Sequence, residues 1–330
     1  SNIEFRREVW KHSKKFTELS AGKPLTIYIG YDPRHNNLEL YSKQSILDAV
    51  KRSVGGGRFV DYTRFTPEIK ILDISKIPEY TREYANQSTE FTYSRFLIPY
   101  LENYEGFSMF VDDDFIFNKN PMPMFYYLGQ DDAVACIKYP QIKHDETKFD
   151  GEVNIDYPCK LWSSMMFFNN SHPDCKKLTP EVVNTWTGAQ LHQFEWTDKI
   201  APIPEKYVFV EGYDDPEVKW DFSAVHYTRG GPWINGMDTE HINNLEHYNK
   251  VKNSNLPTEL HGPVLGSRME RVLAEQRKTE LMPEYDKAYE ADKKIFESSE
   301  KKTANKLVQL KQLRRAKNTE KAKALEKSII

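Results

Sequence analysis

The sequence predicts an α/β domain built on a mixed, mainly parallel sheet, followed by a charged helical extension. Short apolar runs rich in β-branched and aromatic residues alternate with segments of helical period from residue 25 to about residue 227. At 39% hydrophobic and 13% aromatic over 330 residues, the chain can bury a sizeable core. After Gly266 no glycine occurs, and Ala, Glu, Lys, Leu and Arg dominate to the last residue. Two regions follow from this, a domain over residues 1–265 and a helical extension over residues 266–330.

Leu25 to Gly30 reads as a buried strand, β-rich and ended by glycine. Tyr31-Asp32-Pro33-Arg34 is a turn, and Leu38 to Arg52 carries apolar residues at helical spacing. Gly55-Gly56-Gly57 is a loop. A strand over Ile69 to Ile74, a helix around Tyr93 to Tyr104 and a strand over Ser108 to Val111 come next. Later strand-like runs cover Trp162 to Asn169 and Ser223 to Tyr227.

The net charge of −3 is unevenly spread. Residues 301–330 hold ten Lys or Arg against two Glu, a net of +8, which leaves −11 on residues 1–300. The body is therefore acidic and the tail basic, suited to nucleic acid, to an anionic membrane surface, or to a solvated or oligomerising helix. Aromatic residues are absent after Phe296, which argues against base stacking by the tail. No apolar run approaches the roughly 20 residues of a membrane span, and the first twenty residues lack a signal-type apolar segment. Three cysteines (Cys136, Cys159, Cys175) form neither an even framework nor a CxxC pair. These features predict a cytoplasmic protein, peripheral to a membrane if the tail binds one.

The stretch Phe110-Val111-Asp112-Asp113-Asp114-Phe115-Ile116-Phe117 sets three carboxylates between buried-type residues. Desolvated carboxylates cost several kcal/mol without a partner, so a positive group is expected beside them. Asp112 and Asp114 can present oxygens to one hard divalent cation, Mn²⁺ or Mg²⁺, which in turn can hold a diphosphate. In Val225-His226-Tyr227-Thr228-Arg229-Gly230-Gly231-Pro232-Trp233, His226 ends another strand-like run and can supply a third ligand. The two glycines let backbone N–H groups approach phosphate, and Arg229 adds charge.

The ordered set YIGYDPR, TYSRFLIPYL, FVDDDFIF, LWSSMMFFNNSHP and HYTRGGPW resembles the GT-A glycosyltransferases of glycosyltransferase family 8 and its bacterial and viral relatives, over roughly residues 24–235. It is most similar to a branch with a Trp-Ser-Ser run followed by an LHxFxW element, here Leu191-His192-Gln193-Phe194-Glu195-Trp196.

The resemblance implies a GT-A fold and a metal-dependent transfer of sugar from a nucleoside-diphosphate donor, by family expectation a UDP-sugar. Asp112, Asp114 and His226 take the place of the metal ligands. Tyr31 and Asp32 match the loop that receives the nucleotide base, and Arg95 an arginine near the donor. Trp162, Ser163 and Ser164 line the sugar pocket. Arg229, Gly230, Gly231 and Trp233 belong to the diphosphate motif, and Gln190 and His192 lie near the catalytic centre. Two departures stand out: the family's lysine before Pro232 is missing, and Ala189 precedes Gln190 where relatives place a carboxylate. Retention is the family's stereochemistry; an inverting route would need a base among Asp113, Glu195, Asp214 and Asp215. A saccharide or lipid-linked acceptor is expected, with a DNA base as an alternative if the tail binds nucleic acid. The competing readings are a non-catalytic nucleotide-sugar or partner-binding protein on the same fold, and a phosphatase with a nucleophilic first aspartate. Phe115 after the acidic run, and the run's position well inside the chain, argue against the phosphatase.

Overall fold

The computed structural model describes residues 25–35, 37–54, 67–83, 87–129, 131–140, 159, 161–217, 221–234, 239–240 and 242–253. All of them fall in one of the two compact units into which the chain divides. The Gly55–Gly57 loop and the extension over residues 266–330 lie outside the described residues.

A six-stranded sheet organises the fold, in the order β2-β1-β3-β6-β5-β7. Its strands are β1 (Thr26–Gly30), β2 (Glu68–Leu72), β3 (Phe107–Val111), β5 (Val134–Cys136), β6 (Met165–Asn169) and β7 (Ile200–Pro202). The pairs β1–β2, β1–β3 and β5–β7 are parallel, whereas β6 runs antiparallel to both β3 and β5. The sheet is thus mixed and mainly parallel, as the sequence predicts. A second sheet of three strands, β4 (Phe115–Phe117), β9 (Ala224–His226) and β8 (Val208–Val210), stands beside it.

β1, β3 and β6 are buried along their whole length, which explains why they read as continuous apolar runs instead of alternating ones. Tyr28, Phe110, Val134, Cys136, Met166 and Phe168 contribute to a core that also holds Phe91, Phe96, Phe194 and Trp196. Another core gathers Leu38, Ile116, Phe209, Val225, Tyr227, Trp233 and Tyr248 around the small sheet.

Three predicted elements differ locally, each for a side-chain reason. The helix expected at Tyr93 to Tyr104 is a broken one: Phe91–Ser94, a 3₁₀ turn Arg95–Leu97, then Ile98–Leu101. Pro99 has no N–H and its ring crowds the Arg95 carbonyl four residues back, so the chain tightens before it restarts. The strand expected at Trp162 to Asn169 begins only at Met165, because Trp162–Ser164 forms a 3₁₀ turn. Leu161 enters that turn at φ 67°, and Ser164 Oγ donates 2.6 Å back to the Leu161 carbonyl. The strand over Ile69 to Ile74 ends at Leu72, where Asp73 caps another 3₁₀ turn by accepting from Ser75 N.

Candidate metal centre

The three aspartates occupy the turn that carries the chain from β3 in the large sheet to β4 in the small one. β3 is parallel to β1, so the turn lies at the carboxyl end of parallel strands, where ligands bind in open α/β sheets. Two backbone bonds fix it: Asp112 N donates to Ser164 O at 2.9 Å, and Tyr227 N donates to Asp114 O at 3.0 Å.

His226 reaches the turn through strand register. β4 and β9 pair antiparallel with Phe115 opposite His226, and the two rings stack with centroids 4.1 Å apart. This places His226 Nε2 3.2 Å from Asp114 Oδ1 and 3.9 Å from Asp112 Oδ2. One ligand atom from each of Asp112, Asp114 and His226 lies within 4.8 Å of the others.

The donor set fits a divalent ion: two carboxylates and one imidazole suit Mn²⁺ or Mg²⁺ supplemented by oxygens of a ligand. His226 is 1% exposed, and neither of its ring nitrogens makes a hydrogen bond among the described residues. A buried imidazole left so carries a desolvation cost that coordination would remove.

Arg95 braces the turn from behind. Its Nη1 lies 2.7 Å from Asp112 Oδ1 and donates to Ser163 O at 2.8 Å, while Nε donates to the Phe91 and Thr92 carbonyls at 3.1 Å each. Its guanidinium also stands 4.7 Å from the centre of the Phe110 ring.

Asp113 turns the other way. It is buried, with Oδ2 2.6 Å from His35 Nδ1. Burial pulls the imidazole down, but the hydrogen bond and charge of Asp113 outweigh this and raise His35 to about 9. Burial likewise holds Asp113 above the usual carboxylate range, against the opposing pull of His35.

Around the loop after β1, Asp32 accepts from Arg34 N, Nε and Nη2 and from Glu90 N, at 2.8 to 3.2 Å. Burial works to raise its carboxyl, yet the Arg34 bonds prevail and hold it below the ordinary range. Tyr31 beside it is half-buried. Trp162 donates through Nε1 to the Tyr139 carbonyl, and Ser163 Oγ lies 2.7 Å from His192 Nδ1. Burial, reinforced by Arg95, pulls His192 down to about 3, so it is neutral near pH 7. Gln190 closes a capping box with Thr187 at the start of the helix Gly188–His192.

The HYTRGGPW motif curls at Gly230, φ 105°, a conformation that favours glycine. A Cβ at Gly231 would run into the Trp233 ring, which packs edge-on against Tyr227 with centroids 6.0 Å apart. Arg229 leans over Tyr213, 5.7 Å from its ring centre. The structure therefore gathers Asp112, Asp114, His226, Arg95 and Ser163 closely, while Gln190 is occupied at its helix cap. His35 was not among the sequence candidates. Its signal was the middle aspartate, a third buried carboxylate that required a partner of its own.

The fold and site together define a mixed α/β domain with a two-carboxylate, one-imidazole centre at the edge of its parallel strands. No protein-family model matches the chain. Among curated proteins, "Protein CDI" of Arabidopsis thaliana is 38% identical over 244 residues, covering 70% of this chain and 90% of that protein. The chain belongs to the family of Protein CDI.

Solved structures with partial likeness include the bifunctional glycosyltransferase WbbM in its apo form, at 13% identity and TM-score 0.46, covering 74% of this chain and 52% of that one. The apo glycosyltransferase GlyE of Streptococcus pneumoniae TIGR4 follows at 14% and 0.42, with 72% and 62% covered. The galactosyltransferase LgtC in complex with donor and acceptor sugar analogues stands at 11% and 0.41, with 72% and 99% covered. The chain thus spans about half of WbbM and under two-thirds of GlyE.

Proposed function

We propose that this protein is a metal-dependent GT-A glycosyltransferase that moves a sugar from a nucleoside-diphosphate donor, a UDP-sugar, to a saccharide or lipid-linked acceptor. The observation that carries the reading is the convergence of Asp112, Asp114 and His226 within 4.8 Å at the carboxyl end of β3. Two carboxylates one residue apart and a histidine from a distant strand are brought together by strand register, at the edge where such sheets bind ligands. The order of the sequence motifs supports the same reading.

Asp112, Asp114 and His226 would hold Mn²⁺ or Mg²⁺, which when bound neutralises charge on a departing diphosphate. The chain's own residues do the rest. Arg95 keeps the Asp112 carboxylate in place. The Gly230 N–H donates to the Tyr227 carbonyl at 3.0 Å, so it is the Gly231 N–H that would approach phosphate oxygens, and Arg229 adds a positive charge as the glycosyl–oxygen bond breaks. Tyr31 and the Asp32 loop receive the base. Trp162, Ser163 and Ser164 border the sugar, with Gln190 and His192 on the same side. Retention is the stereochemistry we assign, from the resemblance alone.

No helix among the described residues is long and apolar enough to cross a membrane. The net charge of +8 on residues 301–330 suits contact with nucleic acid or an anionic membrane surface, with a solvated or oligomerising helix as the plain alternative. A salt-dependent shift of DNA that is lost on deleting residues 301–330 would decide for DNA.

Calorimetric titration of UDP, with Mn²⁺ and then with EDTA, tests the site on the wild type and on Asp114→Ala. Binding that needs the metal and disappears in the variant is expected. Absence of binding under every condition overturns the UDP assignment. Binding without hydrolysis or transfer across a panel of UDP-sugars and acceptors would favour a non-catalytic nucleotide-sugar binder.

A further inference from the structure

We infer that His35 and Asp113 form a positioning pair that fastens the loop after β1 to the metal turn, so that the two ends of the donor site are held as one unit. The inference rests on the metal reading above and extends it to a residue that takes no part in coordination.

The geometry is specific. Asp113 is the middle member of the acidic run, yet it faces neither Asp112's partner Arg95 nor His226. It is 1% exposed and meets a single imidazole nitrogen at 2.6 Å. His35 closes the 3₁₀ turn Pro33–His35, its backbone N–H donating to Asp32 O at 3.0 Å. That turn follows Tyr31 and Asp32 directly and leads into the helix Leu38–Val54. One side-chain contact therefore spans the loop that carries Tyr31 and Asp32 and the turn that carries Asp112 and Asp114.

Each side is also secured independently. Asp32 is held by Arg34 and Glu90 N, and Asp112 by Arg95 and its own backbone bond to Ser164. What these bonds leave open is the spacing between the two. An ionised or strongly polar pair with one partner fully desolvated fixes such a spacing well, because any separation exposes a buried carboxylate without a donor. A buried Asp113 is costly as packing alone, and alanine or serine would fill the same turn without that cost.

The test uses Mn²⁺ alone, read by electron paramagnetic resonance of the free ion, on the full chain. His35→Gln, Asp113→Asn and the double variant are compared with the wild type, each checked for an unchanged thermal transition. Both single variants are expected to weaken Mn²⁺ binding by about threefold or more, the scale of coupling between residues that share one contact network. The double variant should be no weaker than either single, since one contact is being removed twice. Asp113→Asn keeps shape and an acceptor oxygen, so it remains informative if His35→Gln folds poorly. Wild-type Mn²⁺ uptake with equal uptake in the variants overturns the pair's role and leaves the metal site standing, as do single effects that simply add. A wild type that takes up no Mn²⁺ overturns the metal reading and the pair's role with it.

Discussion

Arg95 Nη1 sits 2.7 Å from Asp112 Oδ1 and 2.8 Å from the Ser163 carbonyl, in a side chain only 7% exposed. One guanidinium thus joins the acidic turn to the Trp162–Ser164 turn. A lysine cannot reproduce this, because a single ammonium lacks the planar fork that serves four acceptors at once. Arg95→Lys is expected to lower Mn²⁺ affinity by about 10- to 100-fold with the fold retained. Arg95→Met should also destabilise the protein by about 3–5 kcal/mol, by leaving Asp112 without its cation. Calorimetry with Mn²⁺ and urea denaturation measure the two effects; wild-type affinity in Arg95→Lys would remove Arg95 from the site.

Gly30 ends β1 under an aromatic ring. A Cβ there would lie 2.6 Å from the Phe91 ring, a contact the ring cannot accept without moving. Gly30→Ala should therefore cost about 1–3 kcal/mol of stability. Phe91→Leu in the same chain should recover part of that loss, because the clash and its relief share one contact. Strict additivity of the two substitutions in denaturant midpoints would show that the ring is not what limits position 30.

His192 gives the protein an acid weakness. Its ordinary value is 6.5, and burial with the nearby Arg95 charge pulls it to about 3 in the folded state. Between those values the unfolded chain binds a proton that the folded chain refuses, so stability is lost as pH falls from about 6.5 towards 3. The slope from this group approaches about 1.4 kcal/mol per pH unit. Replacing it, as in His192→Gln, should remove that slope, so the variant loses less stability than the wild type between pH 7 and pH 5. A stability difference between the two proteins that stays constant over that range would contradict the assignment.

Glu211 holds the far side of the histidine strand. The residue is 4% exposed, and its two oxygens accept from the backbone and side-chain nitrogens of both Asn243 and Asn244, at 2.7 to 3.3 Å. Its own N–H donates to His226 O at 2.9 Å. Hydrogen bonds to a charged acceptor are worth about 1.5–3 kcal/mol each, and their donors would be stranded. Glu211→Ala should thus destabilise by more than about 3 kcal/mol, read from the denaturant midpoint. A loss below about 1 kcal/mol would mean water replaces the carboxylate freely.

The strands β1 and β3 are legible because full burial makes them continuous apolar runs, and so is the helix Leu38–Val54 after β1, because one face repeats at helical spacing. β4, β5, β7 and β8 were missed: three residues each leave no period to read. The break at Pro99 was written in the sequence but masked by the apolar residues around it.

For the site, the sequence alone determined the chemistry: which residues carry carboxylates, an imidazole and a guanidinium, and in what order. That order was enough to single out Asp112, Asp114 and His226. Tertiary structure decided which of these groups meet. Pairing of β4 with β9 opposes Phe115 to His226 and so sets His226 beside Asp114. The parallel placement of β1 beside β3 brings the two loops at their ends together, which lets His35 reach Asp113. Neither contact has a local signature, because strand register and neighbour choice are settled by burial across the whole sheet, not by the residues on either side of a motif.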